Sequence, residues 1–249
     1  MVSRTHLFEQ KDFYYDTDPK VMAEGLQETK RSGVVALFLG FLNLAAFSFL
    51  SYLELPLLRF IFPILFLWVL PFLISYRVEG RDASALGLSL RSERFSLYLL
   101  YTLLGFILTT LLLCMEFHLR ICFAGEPLGE VLRVEEDLVT GLLFQIGGIG
   151  LPEEVFFRGF LMGRLCNWLG EEEGLVLSSL LFGMGHVTSR LCQIGLDYAL
   201  SATIIGVYAS LNGLIFGYQY LKTGSVLPSA ATHISLNLFG ARIVNAILL

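Results

Sequence analysis

An apolar run in the second half of this chain is interrupted by Pro152-Glu153-Glu154-Val155-Phe156-Phe157-Arg158-Gly159, two carboxylates and a guanidinium set among aromatics. Ionisable groups are costly inside an apolar helix, and each marks a functional hypothesis with a partner to be named. Glu154 and Arg158 are four apart, so they share one helical face and can pair. Glu153 points about 100° away from them, which leaves it the carboxylate free for a reaction. A purely structural knot of buried ion pairs accounts for one acid rather than two. Adjacent acids in a dry site suit general acid–base work.

Two histidines complete the inventory. Phe182-Gly183-Met184-Gly185-His186 places an imidazole at the end of a short apolar stretch, with glycines clearing space around it. His233-Ile234-Ser235-Leu236-Asn237 puts an imidazole and an amide four apart in the last apolar run. Alone, His186 reads as a packed core residue and Asn237 as glue between helices. The chain has four histidines, and since His6 lies in the tail and His118 at a helix end, the remaining two are both membrane-embedded. Two acids with two imidazoles form a hydrolytic set, and the conjunction is more telling than any part of it.

The elements that must position these residues are membrane helices. Hydrophobic residues make up 55% of the 249, and mean hydropathy is +0.69. The runs Gly33 to Leu53, Leu55 to Ser75, Phe95 to Met115 and Leu138 to about Leu165 each suffice to cross roughly 30 Å of hydrocarbon. Two more lie between Leu196 and Leu221 and between Val226 and Leu249. A seventh, Leu175 to Val187, is shorter and glycine-interrupted, which predicts a buried, tilted or partly re-entrant helix. The fold class is therefore all-α, a polytopic bundle of about seven to eight helices. Residues 1–32 form a charged tail with a short helix around Val21 to Thr29, and residues 33–249 form the transmembrane domain. Small residues recur at close-packing spacing: Gly159 and Gly163, Ser179 and Gly183, Gly213 and Gly217.

Arginines at 77, 81, 91 and 94 mark one loop, whereas six acids crowd the loop from Glu116 to Asp137. That asymmetry puts the first loop and the N-terminus in the cytoplasm and the acidic loop outside, the expected location being the cytoplasmic (plasma) membrane. The four cysteines show no CxxC spacing and read as packed free thiols. The net charge of -5 gives no indication of nucleic acid.

EExxxR, FxxxH and HxxxN, in this order and without substitution, resemble the motifs of the CAAX-protease and bacteriocin-processing family of intramembrane proteases. The EEVFFRGFL stretch is the most specific element. Leu86-Gly87-Leu88 resembles a feature often seen upstream in such proteins, and the likeness covers about residues 138–240. The resemblance implies a bundle enclosing a wet intramembrane cavity, where a glutamate and a histidine activate water to cut a peptide bond of a membrane-associated protein or peptide. Carried onto this sequence, Glu153 is the general base and His186, with Phe182 opening its motif, helps hold or polarise the water. His233 and Asn237 match positions that stabilise the oxyanion. Glu154 and Arg158 take supporting roles, orienting Glu153 or reading a substrate carboxylate. The substrate, prenylated CAAX tail or bacteriocin-type peptide, stays open.

Rival chemistries lack their motifs: there is no HExxH, no GxSG and no pair of intramembrane aspartates. A non-catalytic immunity or scaffold protein with the same cavity is the alternative of another class, though a scaffold needs neither both acids nor both imidazoles. Glu153, His186 and His233 also make a His₂-carboxylate set of the kind that holds zinc. A cofactor-free site, with His233 and Asn237 donating to an oxygen, is the favoured arrangement because an amide is an uncommon zinc ligand.

Overall fold

In the computed structural model, the described residues are 19–52, 61–127 and 137–248. They form helices throughout. In chain order these are α1 (Pro19–Tyr52), α2 (Ile61–Val78), α3 (Phe95–Ala124), α4 (Leu138–Gly147), α5 (150–169), α6 (Glu171–Ile194), α7 (Ala199–Thr223) and α8 (227–248). Five of them, α1, α2, α3, α6 and α7, are long and apolar enough to cross a bilayer. With α4 and α5 as one broken passage and α8 as the last, the chain is an all-α polytopic membrane protein. Leu99, Leu100, Leu103, Leu104, Ile107, Leu108 and Leu111 of α3 all stand exposed, the solvent for that face being lipid rather than water.

Four sequence expectations shift. The stretch expected as a short or re-entrant helix is the full-length α6, because Glu171–Glu173 supply a favourable acidic first turn and the helix continues to Ile194. The run from Leu138 is not one span: backbone at Ile149 leaves helical geometry (φ -130, ψ -75) and separates α4 from α5. The acidic loop starts later than expected, because α3 runs to Ala124 and is stopped by Gly125 in the left-handed conformation. Glu116 and Arg120 are therefore helical, four apart, and paired at 3.0 Å. The tail helix expected around Val21 to Thr29 is the beginning of α1 itself. Residues 1–18 and 128–136 lie outside the described residues.

The bundle closes through the small residues read from the sequence. A Cβ added at Gly213 would meet the Ser179 backbone at 2.9 Å, and one at Gly183 would strike the Gly206 carbonyl and Ser210. Those contacts seat α6 against α7. Leu86-Gly87 occupies a comparable place against α5: a Cβ at Gly159 would collide with the Leu86 carbonyl oxygen, so only glycine after Arg158 lets that loop approach. Gly87 itself is left-handed (φ 71), and its carbonyl accepts the Val226 N–H at 3.0 Å at the start of α8. The core between these elements is aromatic, with Phe156, Phe157, Phe160 and Phe182 buried together.

Candidate active site

Glu153 and Glu154 end the α-helical first turn of α5 (Gly150–Glu154), and a π-helical stretch, Val155–Met162, follows at once. Pro152, third in this turn, loses no hydrogen bond there, since the first N–H groups of a helix have no partner in it. π-Helical segments favour functional sites because they rotate side chains out of regular register.

Glu154 is fully buried, and its Oε1 accepts from Arg158 at 3.0 Å and from His233 Nδ1 at 3.0 Å. The Arg158 guanidinium lies 4.5 Å from the Phe182 ring, 5.1 Å from Phe216 and 5.9 Å from Phe157, a cage of cation–π contacts. At 1% exposure it is closed to any ligand. The aromatic cage shuts the guanidinium in and Glu154 pairs with it, an arrangement that fits the supporting role expected of the two residues better than contact with a substrate carboxylate.

Glu153 behaves differently. Its side chain keeps 18% exposure, and Oε2 stands 3.9 Å from His233 Nε2, beyond direct hydrogen bonding and open to a bridging water. His233 thus meets both acids, one at each ring nitrogen. The Glu154 carboxylate holds the proton on Nδ1, which orients the ring and frees Nε2 toward Glu153. Phe216 stacks on the imidazole at 5.0 Å and 20°.

Phe182 joins the second histidine to this group. Its ring contacts His233 at 6.0 Å and His186 at 4.7 Å, and its carbonyl takes the His186 Nδ1 proton at 2.9 Å, leaving Nε2 free. From sequence, His186 sits toward one end of its span and His233 toward the opposite end of another. The full length of α6 reconciles them, since Phe182 in mid-helix reaches both. The ion contacts within 4.0 Å join Glu153 and Glu154 to His233 and not to His186. Among the described residues no three His, Cys, Asp or Glu side chains are grouped as an ion would require.

Asn237 stands apart from the expected arrangement. His233 is buried at the end of the α-helical stretch Leu227–Ser235, while Asn237, in the π-helical stretch Leu236–Gly240 that follows, is exposed. Asn237 Nδ2 donates to Gln145 Oε1 on α4 at 2.8 Å. Two surface grooves, of about 600 and 410 Å³, are lined by α2 residues around Trp68 and by α3 and α8 residues around Phe106. Neither groove is lined by Glu153, Glu154, His186 or His233.

Two further buried polar clusters escaped the sequence reading. At one end of the bundle Arg164 binds Glu79 and Ser75 Oγ (2.7 Å) and the carbonyls of Gly159 and Phe160. Burial raises the Glu79 carboxyl, but bonds from Arg164 and Ser32 outweigh it and hold the group below its ordinary value. At the other end Glu126 binds Arg120 and Ser201, with Arg190 at 3.8 Å. There too burial is outweighed, by Arg120 and Ser201, and the Glu126 carboxyl is lowered. Glu116 four residues before Arg120, and an arginine inside the run ending near Leu165, were the available signals.

Residues 135–239 match the family model described as Type II CAAX prenyl endopeptidase Rce1-like. This stretch spans α4 to most of α8, holds every residue of the cluster, and agrees with the motif resemblance. Comparison with curated proteins and with solved structures gave no match.

Proposed function

We infer that this integral membrane protein is an intramembrane endopeptidase that hydrolyses a peptide bond of a membrane-associated protein or peptide, of the prenylated CAAX-like or bacteriocin type. The observation carrying this reading is the division between the acids: Glu154 is shut in and spent on Arg158 and His233, while Glu153 keeps an accessible oxygen 3.9 Å from His233 Nε2. A structural knot has no use for the second acid.

In this mechanism Glu153 takes a proton from a water it shares with His233 as the water oxygen adds to the scissile carbonyl. The C–N bond then breaks, and the proton moves from Glu153 to the leaving nitrogen. His233, oriented by Glu154 through Nδ1, steadies the water and the charge that develops, and Asn237 supplies an N–H to the oxyanion once its present partner departs. His186 contributes its free Nε2 from across Phe182. Nothing in the sequence requires a resident metal for these steps.

The cytoplasmic (plasma) membrane with a cytoplasmic N-terminus is the orientation proposed, on the arginines of the α2–α3 loop. Comparative proteomics of membrane peptides from cells carrying the native chain or Glu153→Gln tests the reading: peptides that end at new C-termini only with the native chain identify the substrate. Identical peptide sets would remove the proposal.

A further inference from the structure

Helix α4 is ten residues long, and its apolar side chains Leu138, Val139, Leu142, Leu143, Phe144 and Ile146 all face outward. It joins α5 through Gly147-Gly148-Ile149-Gly150, where the backbone is non-helical at Ile149. A Cβ at Gly147 would meet nothing within 4 Å, whereas at Gly150 it would press on Ile234 at 2.7 Å and Gln145 Oε1 at 2.9 Å. The Gln145 amide therefore lies directly over the first turn of the helix that carries Glu153. Two hydrogen bonds from side chains of other helices hold α4 and the joint: Asn237 Nδ2 to Gln145 Oε1 at 2.8 Å, and Trp68 Nε1 to the Gly147 carbonyl at 3.1 Å.

We propose that Gln145 is an internal stand-in for the substrate's peptide carbonyl, and that α4 is a side door held shut over the Glu153 site by its bond to Asn237. The proposal rests on the hydrolytic reading above and names how that site is regulated. A glutamine side chain presents the same amide oxygen as a peptide bond, so an incoming scissile carbonyl competes for the N–H that Gln145 now occupies. A membrane-borne substrate needs a lateral entrance. A short, lipid-facing helix on a glycine-rich joint beside the catalytic glutamate supplies one. The substrate carbonyl and the door cannot hold Asn237 together, so binding and opening are one event.

The test uses the full chain in nanodiscs and a farnesylated, internally quenched fluorescent peptide with a free C-terminus. Spin labels at positions 143 and 103, on a background in which Cys114, Cys122, Cys166 and Cys192 are replaced, report the distance between α4 and α3. Losing one neutral hydrogen bond should shift the door by about two- to tenfold in population. Gln145→Ala is therefore expected to broaden the distance distribution and to raise kcat/KM by about that factor, chiefly through KM. Gln145→Glu keeps an acceptor oxygen and is expected to stay closed and no faster than the native chain. A shifted distribution with no cleavage by any form would uphold the door and refute the hydrolytic reading. An unchanged distribution in Gln145→Ala, or a shifted one with unchanged or slower cleavage, overturns the proposal.

Discussion

Replacing Glu154 by glutamine removes the charge on which Arg158 and His233 converge while leaving the volume almost unchanged. Both of its hydrogen bonds are 3.0 Å long, and Arg158 is 1% exposed, so the variant leaves a buried guanidinium without its paired carboxylate. Breaking a buried pair in this way costs roughly 3–5 kcal/mol. The rings of Phe182, Phe216 and Phe157 retain part of the stabilisation of the cation, which places the expected loss near about 3 kcal/mol. Glu153→Gln breaks only a partly exposed contact at 3.9 Å and should cost about 1 kcal/mol or less. At roughly 2–4 °C per kcal/mol for a chain of this size, Glu154→Gln should melt about 6–12 °C below the native protein in detergent. Glu153→Gln should melt within about 4 °C of it. Intrinsic fluorescence against temperature, on matched preparations, reads both. Equal melting temperatures for the two variants would refute the division of roles between the acids.

Three other expectations are as direct. Gly159→Ala drives a methyl into the Leu86 carbonyl and should lower the melting temperature by several degrees, about 1–3 kcal/mol of overpacking; a neutral outcome would show that the Leu86-Gly87 loop is not seated as described. Glu79 and Glu126 have folded-state values held below the unfolded 4.5, so their stabilisation is complete above that pH and is lost as pH falls through the lower folded values. Thermal stability of the native chain should accordingly decline below about pH 4.5, and Glu79→Gln should flatten that decline. Protein stripped with chelator and verified metal-depleted should keep its activity, and activity that vanishes and returns with stoichiometric zinc would make His186 and His233 ligands.

Much of the site was legible because its parts lie at helical spacing. The pairing of Glu154 with Arg158 and the freedom of Glu153 follow from a four-residue step and a 100° turn, and the Glu154–Arg158 contact is observed. Partners across helices were not legible. Nothing in the local sequence says that His233 meets both acids, that Phe182 touches both imidazoles, or that Arg158 is enclosed by three phenylalanines, because these depend on how α5, α6, α7 and α8 pack. The bond from Asn237 to Gln145 was not legible either, because it depends on how α4 lies against α8. Likewise the Gly147-Gly148 break was read as a continuous apolar run, since hydropathy does not register a joint. The buried arginines Arg120 and Arg164 were read as loop or run residues and turned out to anchor both ends of the bundle.

The proposed mechanism requires Glu153 to drive hydrolysis. Purified protein in liposomes, given the farnesylated peptide in water enriched in ¹⁸O and followed by mass spectrometry, measures that step alone. The native chain should release a fragment carrying one ¹⁸O at its new C-terminus, and Glu153→Gln, folded to a similar melting temperature, should be slower by about 10²–10⁴. Cleavage by Glu153→Gln at the native rate would contradict the central claim.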